Sequence, residues 1–297
     1  MGDVEGAMAL VEGGDAVLIL AVEAAAHFYP YTPEQVVNAC YRAGFSAVHS
    51  GILGDELVAD QYLSLWEDTE WGTMIRSTCP VVVERVQREY PELVPYLAPF
   101  KTPLAAEADY HRTVYGNGVG LVYAGVCLAD SDAHVDAGLT FDELEDLLQR
   151  RGALIENEPQ HYRRIPSVRE RYLSSPGGLP YSVLQEVPHA SRRFRKIRGM
   201  EGLETLARAV SSDRIDLGFV DILPCEGCLG HPIWGEPERL FWRRHVVKES
   251  EPPRSPIPVV DPAVRVWLER AFEMRGNGHK PPAEEVEQII EDIGLAP

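Results

Sequence analysis

Five cysteines, Cys40, Cys79, Cys127, Cys225 and Cys228, carry the most specific chemistry in this chain of 297 residues. Cys225 and Cys228 form a C-x-x-C within PCEGC, a spacing that favours metal or redox chemistry over simple packing. So few and so scattered, the five do not make a secreted disulfide scaffold, and in a reducing compartment the alternatives are packing, catalysis or metal. Cys79 precedes Pro80 at the mouth of an expected helix. There the positive end of the helix dipole lowers a thiol's pKa and suits it to hold iron or zinc. Cys127 is expected to end a central strand, GLVYAGVCLA, and strand carboxyl ends are where open α/β sheets build ligand sites. Cys225 and Cys228 follow another strand, IDLGFVDI, with Gly227 allowing the backbone to fold around a ligand. Cys40, inside a helix beside Val36 and Val37, reads as a packing residue. The other four thiolates, from one helix start and two strand ends, match the inventory of a 4Fe-4S cluster; a closed tetrahedral zinc site is the chemical competitor.

The elements that must position these residues alternate along the chain. AVLILAV at 16–22 predicts a buried strand, and YTPEQVVNACYRAG a helix with Thr32 as N-cap, Pro33 at its first position, Gln35 completing a capping box and Gly44 as its stop. A strand is expected at 46–49, a helix at 80–90, a strand at 120–129 and a helix at 141–151 with Thr140, Glu143 and Gly152 in the same signalling roles. A helix, GMEGLETLARAV, leads into IDLGFVDI. This alternation predicts an α/β fold with a largely parallel sheet. Residues 153–198 turn polar, with SSPGGLP and the basic islands HYRRIPSVRERY and SRRFRKIRG, and are read as a crossing between two lobes. The islands read as a solvated strand edge, with docking of an acidic redox partner as the alternative. The domain organisation expected is a tail at 1–14, the main domain at 15–245, and at 246–297 a proline-rich linker with two terminal helices near 262–274 and 282–293.

The formal charge of -18 is spread without a long acidic block, which speaks for a solvated acidic surface and against nucleic-acid binding. The longest apolar stretch, Ala16 to Ala26, contains Glu23 and is too short to span a membrane. The start, MGDVEG, is acidic where a secretory signal is basic, so a soluble cytoplasmic protein is expected. GNGVG at 116–120 precedes a strand and reads as a turn, not a dinucleotide loop. DSDAHVDAGLTF lacks a calcium loop's central glycine and final glutamate and reads as a polar loop. His231 reads as an ordinary surface or core histidine, with a role beside the cysteines as the alternative.

At the cysteines the sequence resembles the iron-only hydrogenase family, in the C-terminal domain of its large chain, which carries the H cluster. The family's first cysteine motif is matched by Ser77, Thr78, Cys79 and Pro80, followed by Pro91-Glu92-Leu93 and Lys101-Thr102-Pro103. Its second aligns with CLADSDAH at Cys127, and its third with PCEGCLGHPIWG. LTFDELEDLLQRRG, SSPGGLPYS and RGMEGLETL also read like the family, so the resemblance covers about residues 15–245. PPAEEVEQIIEDIG looks like the helix of sensory members. The resemblance implies two lobes with a cleft between them and a 4Fe-4S cluster at its floor, held by Cys79, Cys127, Cys225 and Cys228.

The departures from the family bear on catalysis. Thr78 stands where the family has a proton-relaying cysteine, Asp130 where a lysine holds a cyanide ligand of the binuclear iron site, Ala133 where a relay glutamate stands, and Gly125 in place of a methionine. The last cysteine pair is spaced by two residues instead of the usual three, which offsets Cys225. An anionic Asp130 opposes the charge of a cyanide-bearing iron pair. A cluster protein for electron transfer or redox sensing, working with a redox or signalling partner, is therefore expected, with no catalytic residue assigned and no binuclear subsite. The alternatives are an atypical active hydrogenase and a zinc-binding or cluster-free scaffold.

Overall fold

A computed structural model describes residues 2–67, 72–163, 179, 194–210, 217–225, 228–250, 268–269 and 272. In chain order its elements are α1 (Val4–Gly13), β1 (Ala16–Leu20), α2 (Ala24–His27), α3 (Pro33–Ala43), β2 (Ala47–Ser50), α4 (Ile52–Glu67), β3 (Met74–Ile75), α5 (Pro80–Glu89), α6 (Pro103–Tyr115), β4 (Gly120–Ala124), α7 (Ser131–His134), β5 (Ala137–Leu139), α8 (Phe141–Arg150), β6 (Phe194–Arg198), α9 (Gly202–Val210), β7 (Phe219–Leu223) and α10 (Leu240–Ser250). They fall into two compact units, the first of residues 1–59, 103–179 and 227–259, the second of 60–102, 180–226 and 260–297. One passage between the units, at 179/180, falls within the expected crossing at 153–198; the chain also changes unit at 59/60, 102/103, 226/227 and 259/260.

The first unit is built on a parallel sheet of order β2-β1-β4-β5. All five residues of β1, AVLIL, are buried. An uninterrupted apolar strand requires cover on both faces, as parallel sheets generally have. Leu18, Leu20, Val122 and Ala124 pack with Val36, Cys40, Leu144 and Leu147 from α3 and α8, while Val17, Ile19 and Leu121 pack with Ala108 of α6 on the opposite face. The second unit repeats the principle in a parallel sheet of order β3-β7-β6, with Ile75, Val220 and Ile222 packed against α5 and α9. Both sheets are parallel and flanked by helices, as the α/β reading requires.

The helix signals in the sequence are realised as physical caps. The Gln35 N–H donates to the Thr32 hydroxyl (3.4 Å) while the Gln35 side chain accepts from the Thr32 N–H (2.8 Å), and Gly44 ends α3 with φ 116°. Glu143 and Thr140 make the same reciprocal pair at α8, and Gly152 follows with φ 66°.

Other expectations are corrected. Residues 4–13, read as part of a tail, form α1, whose Ala7 and Val11 are buried in the core. Strand β4 ends at Ala124, so Cys127 stands three residues beyond it. The last ladder bonds are Ala21 N–H to Ala124 O and Gly125 N–H to Leu139 O, after which β1 leads into α2 and β5 into α8, leaving β4 nothing to pair with. The polar segment after Cys127 contains α7 and β5, which pairs with β4 at the edge of the sheet among the described residues. Residues 194–198 of the second basic island form β6, at the edge of its sheet among the described residues, which agrees with its reading as a strand edge. The first island beyond residue 163, most of SSPGGLP, Gly227, the proline-rich linker and the terminal helices lie outside the described residues, apart from Leu179 and residues 268, 269 and 272. No helix among the described residues is long and apolar enough to cross a membrane.

Removing the Thr140 cap leaves an orphan N–H at the start of α8, a change that typically costs about 1 kcal/mol. Thr140→Ala should lower the unfolding free energy by that amount, read as a lower urea midpoint with the denaturant slope unchanged.

Candidate metal centre

The five cysteines, all present as thiols, separate by environment. Cys40 is fully buried in α3, and burial pushes its thiol up to about 12. Cys79, Cys127, Cys225 and Cys228 are half-buried.

In the first unit, Cys127 follows β4 and Cys228 begins the turn before a 3-10 segment at Pro232–Trp234. Cys228 has φ 62°, the one non-glycine residue with positive φ among those described. Such a conformation costs an ordinary residue roughly 1–2 kcal/mol, and it is held by contacts. The Cys228 carbonyl accepts from His231 N–H (2.9 Å) and from the Trp234 indole N–H (3.1 Å). His231 itself serves this turn, its Nδ1 accepting from Ile233 N–H at 3.2 Å. Both cysteines bear electrostatically on the Tyr123 phenol. Desolvation, then Glu23, Cys228, Cys127 and Asp55 in that order, push its pKa well above the ordinary range. Glu23 and Asp55 are buried, and burial raises the Glu23 carboxyl to about 7. Gly125, between Tyr123 and Cys127, has no room for a side chain, because a Cβ there would overlap the Tyr123 hydroxyl and ring.

In the second unit, Cys79 is the N-cap residue of α5, and its side chain makes no capping bond. β3 and β7 run parallel with Ile75 opposite Val220, and Cys79 and Cys225 leave the carboxyl ends of these neighbouring strands. The segment before Cys79 is pinned at each residue. Arg76 is buried and donates from Nη1 to Asp221 (2.9 Å) and from Nε to the Thr78 hydroxyl. Ser77 N–H donates to the Tyr62 hydroxyl (3.0 Å) and its own hydroxyl donates to Phe100 O (3.2 Å).

Of the other expected positions, Asp130 lies 3.4 Å from His134 Nε2, and Ala133 is exposed. Reasoning from sequence does not single out Tyr123, Asp55, Arg76 or Asp221, and notes Glu23 only as an interruption of an apolar run. Lone charges inside apolar segments, Glu23 after AVLILAV and Asp221 in FVDI, are the signals that could have found them.

The family model described as iron only hydrogenase large subunit, C-terminal domain, matches residues 16–232. The chain belongs to this family. Its fold is similar to an apo FeFe-hydrogenase HydA1 variant from Chlamydomonas reinhardtii, with TM-score 0.61 and 15% identity over 97% of this chain and 93% of that one. A second variant of that enzyme matches with TM-score 0.59 and 15% identity over the same shares, 97% and 93%. So does an FeFe-hydrogenase structure concerned with oxygen inactivation through the H cluster 2Fe subcluster, with TM-score 0.59 and 16% identity over 98% and 94%. No curated protein matches the sequence.

Two measurements follow from the buried charges. Asp221→Ala removes the carboxylate that Arg76 meets at 2.9 Å and should destabilise by about 3–5 kcal/mol in urea unfolding, while the paired change Arg76→Met with Asp221→Leu should recover most of the loss. The raised Glu23 pKa means the folded state holds its proton more tightly than the unfolded chain. Glu23's contribution is therefore complete below its ordinary 4.5 and is lost as pH rises through about 7. That loss is on the order of 3 kcal/mol, and Glu23→Gln should flatten the stability profile across this window.

Proposed function

We propose that this chain binds one 4Fe-4S cluster through Cys79, Cys127, Cys225 and Cys228 and works in electron transfer or redox sensing, without evolving hydrogen. The observation that carries the proposal is the separation of the cysteines by environment: Cys127 and Cys228 are half-buried and both bear electrostatically on Tyr123, while Cys40 is withdrawn into the core. Cys79 and Cys225 at the carboxyl ends of paired parallel strands supply a second pair of thiols of the same character. Family membership supports the cubane, and the donor set of four thiols suits it. A bound cluster supplies a one-electron couple. The protein's own residues hold the thiols: the strained Cys228 backbone aims one, and the pinned Arg76–Thr78 segment presents another at a helix start. In this reading the chain works in the cytoplasm with a redox or signalling protein.

The absence of a binuclear subsite is supported by how its expected positions are filled. Thr78 is bonded to Arg76 and Asp130 faces His134, while Tyr123 occupies the space beside Gly125 where the family's methionine would reach. Glu23 and Asp55, buried carboxyls that bear electrostatically on Tyr123, give no counter-charge to a cyanide-bearing iron pair.

Anaerobic reconstitution should give about four iron and four sulfide per chain, with a brown colour bleached by dithionite. Serine at positions 79, 127, 225 or 228 should reduce iron content, and Cys40→Ser should retain it. Colourless protein with stoichiometric zinc overturns the cluster. Stable infrared bands of carbon monoxide and cyanide with sustained hydrogen release, after addition of a binuclear cofactor, overturn the loss of activity.

A further inference from the structure

We propose that His27, Asp142 and Glu145, in the first unit, form a binding site for a zinc-class divalent cation, distinct from the cysteines. His27 closes α2, and Asp142 and Glu145 stand one turn apart near the start of α8. His27 Nε2 lies 3.6 Å from an Asp142 carboxylate oxygen and 3.8 Å from a Glu145 oxygen, and one ligand atom from each residue lies within 4.8 Å of the others. These separations exceed hydrogen-bond length. Two ligands bound tetrahedrally at about 2.0–2.2 Å stand about 3.3–3.6 Å apart, so small rotations of two exposed carboxylates close the site around a cation.

The imidazole is fixed in place. Its ring packs against Phe28 (centroids 4.7 Å apart), Phe141 (5.2 Å) and Trp234 (6.2 Å), while the capping box of Thr140 and Glu143 anchors the helix that carries the carboxylates. Burial also holds His27 below its ordinary pKa despite the two acidic neighbours. It is then neutral at pH 7, the form that ligates metals. A nitrogen with two carboxylates selects zinc or a similar transition ion over magnesium or calcium, which prefer all-oxygen shells.

Three protein ligands leave a tetrahedral cation one open position. His27 and Asp142 also line a pocket of about 220 Å³ with Val126, Thr140, Ile233 and Trp234. The open position accordingly takes water or a small ligand with a single oxygen donor, such as a carboxylate, against a wall of mixed polar and apolar character.

The test is equilibrium dialysis of the full-length protein against zinc, comparing wild type, His27→Ala, and the double variant Asp142→Asn with Glu145→Gln. The two carboxylates are 80% and 56% exposed, so the amide pair leaves the fold intact. Each variant should bind one equivalent fewer, with that site's affinity lowered at least about 100-fold. Cobalt bound there should quench Trp234 fluorescence, a signal absent in Trp234→Phe and in the amide pair, and retained when the four half-buried cysteines are serine. Equal zinc uptake by wild type and both variants, or quenching that disappears with the cysteines, overturns the site. Neither result bears on the iron and sulfide content that tests the cluster.

Discussion

Parallel pairing of β1 with β4, from Ala16 opposite Gly120 to Leu20 opposite Ala124, is the interaction on which the first unit depends. It consumes the backbone groups of both strands and demands apolar cover on each face, so chemistry is confined to where the ladder stops. Ala21 N–H to Ala124 O is that stop. Within a few residues of it stand Glu23, His27, Gly125 and Cys127. The second unit obeys the same constraint with β3 and β7, whose carboxyl ends lead to Cys79 and Cys225.

The two units treat buried charge differently. In the second, Asp221 sits within β7 and is matched by Arg76 at 2.9 Å, an arrangement that ties β7 to the segment that presents Cys79. In the first, burial governs Glu23 and lifts it to about 7, so the carboxyl relieves its desolvation by holding a proton near neutrality. A charged pair makes a rigid support. A buried carboxyl poised near neutrality makes a local potential that depends on pH, and it bears on the same phenol as Cys127 and Cys228.

Much of this was legible in the chain because it is local. Capping boxes at Thr32 and Thr140 depend on residues three apart, and the apolar run of β1 states its own double-sided burial. The extent of β4 was not legible: VCLA after Gly125 is as strand-like in composition as the residues before it, and the strand stops because its neighbours turn away. The helical character of residues 4–13 was likewise obscured by an acidic, glycine-containing start whose Ala7 and Val11 reveal their role only when packed. The grouping of Cys127 with Glu23 and Tyr123 joins positions about a hundred residues apart in sequence, and only the β1–β4 register brings them together. Motif resemblance supplied the cysteines, but the groups that set their surroundings carry no motif.

Thr78, Gly125 and Asp130 are each accommodated by neighbouring side chains. The Thr78 hydroxyl stands in a buried segment and needs a partner, and Arg76 supplies it. A glycine such as Gly125 leaves space beside the backbone, and cavities of side-chain size cost several kcal/mol in a packed interior. Tyr123 fills the space, and Gly125 is the residue type that lets it do so. Asp130 has His134 for a neighbour. Thr78, Gly125 and Asp130 therefore meet the ordinary demands of packing and pairing with this chain's own side chains, as residues of a settled structure do. A side chain at 125 would overlap Tyr123, and loss of the hydroxyl at 78 would remove a partner of Arg76, so these positions act as a set with the residues that support them.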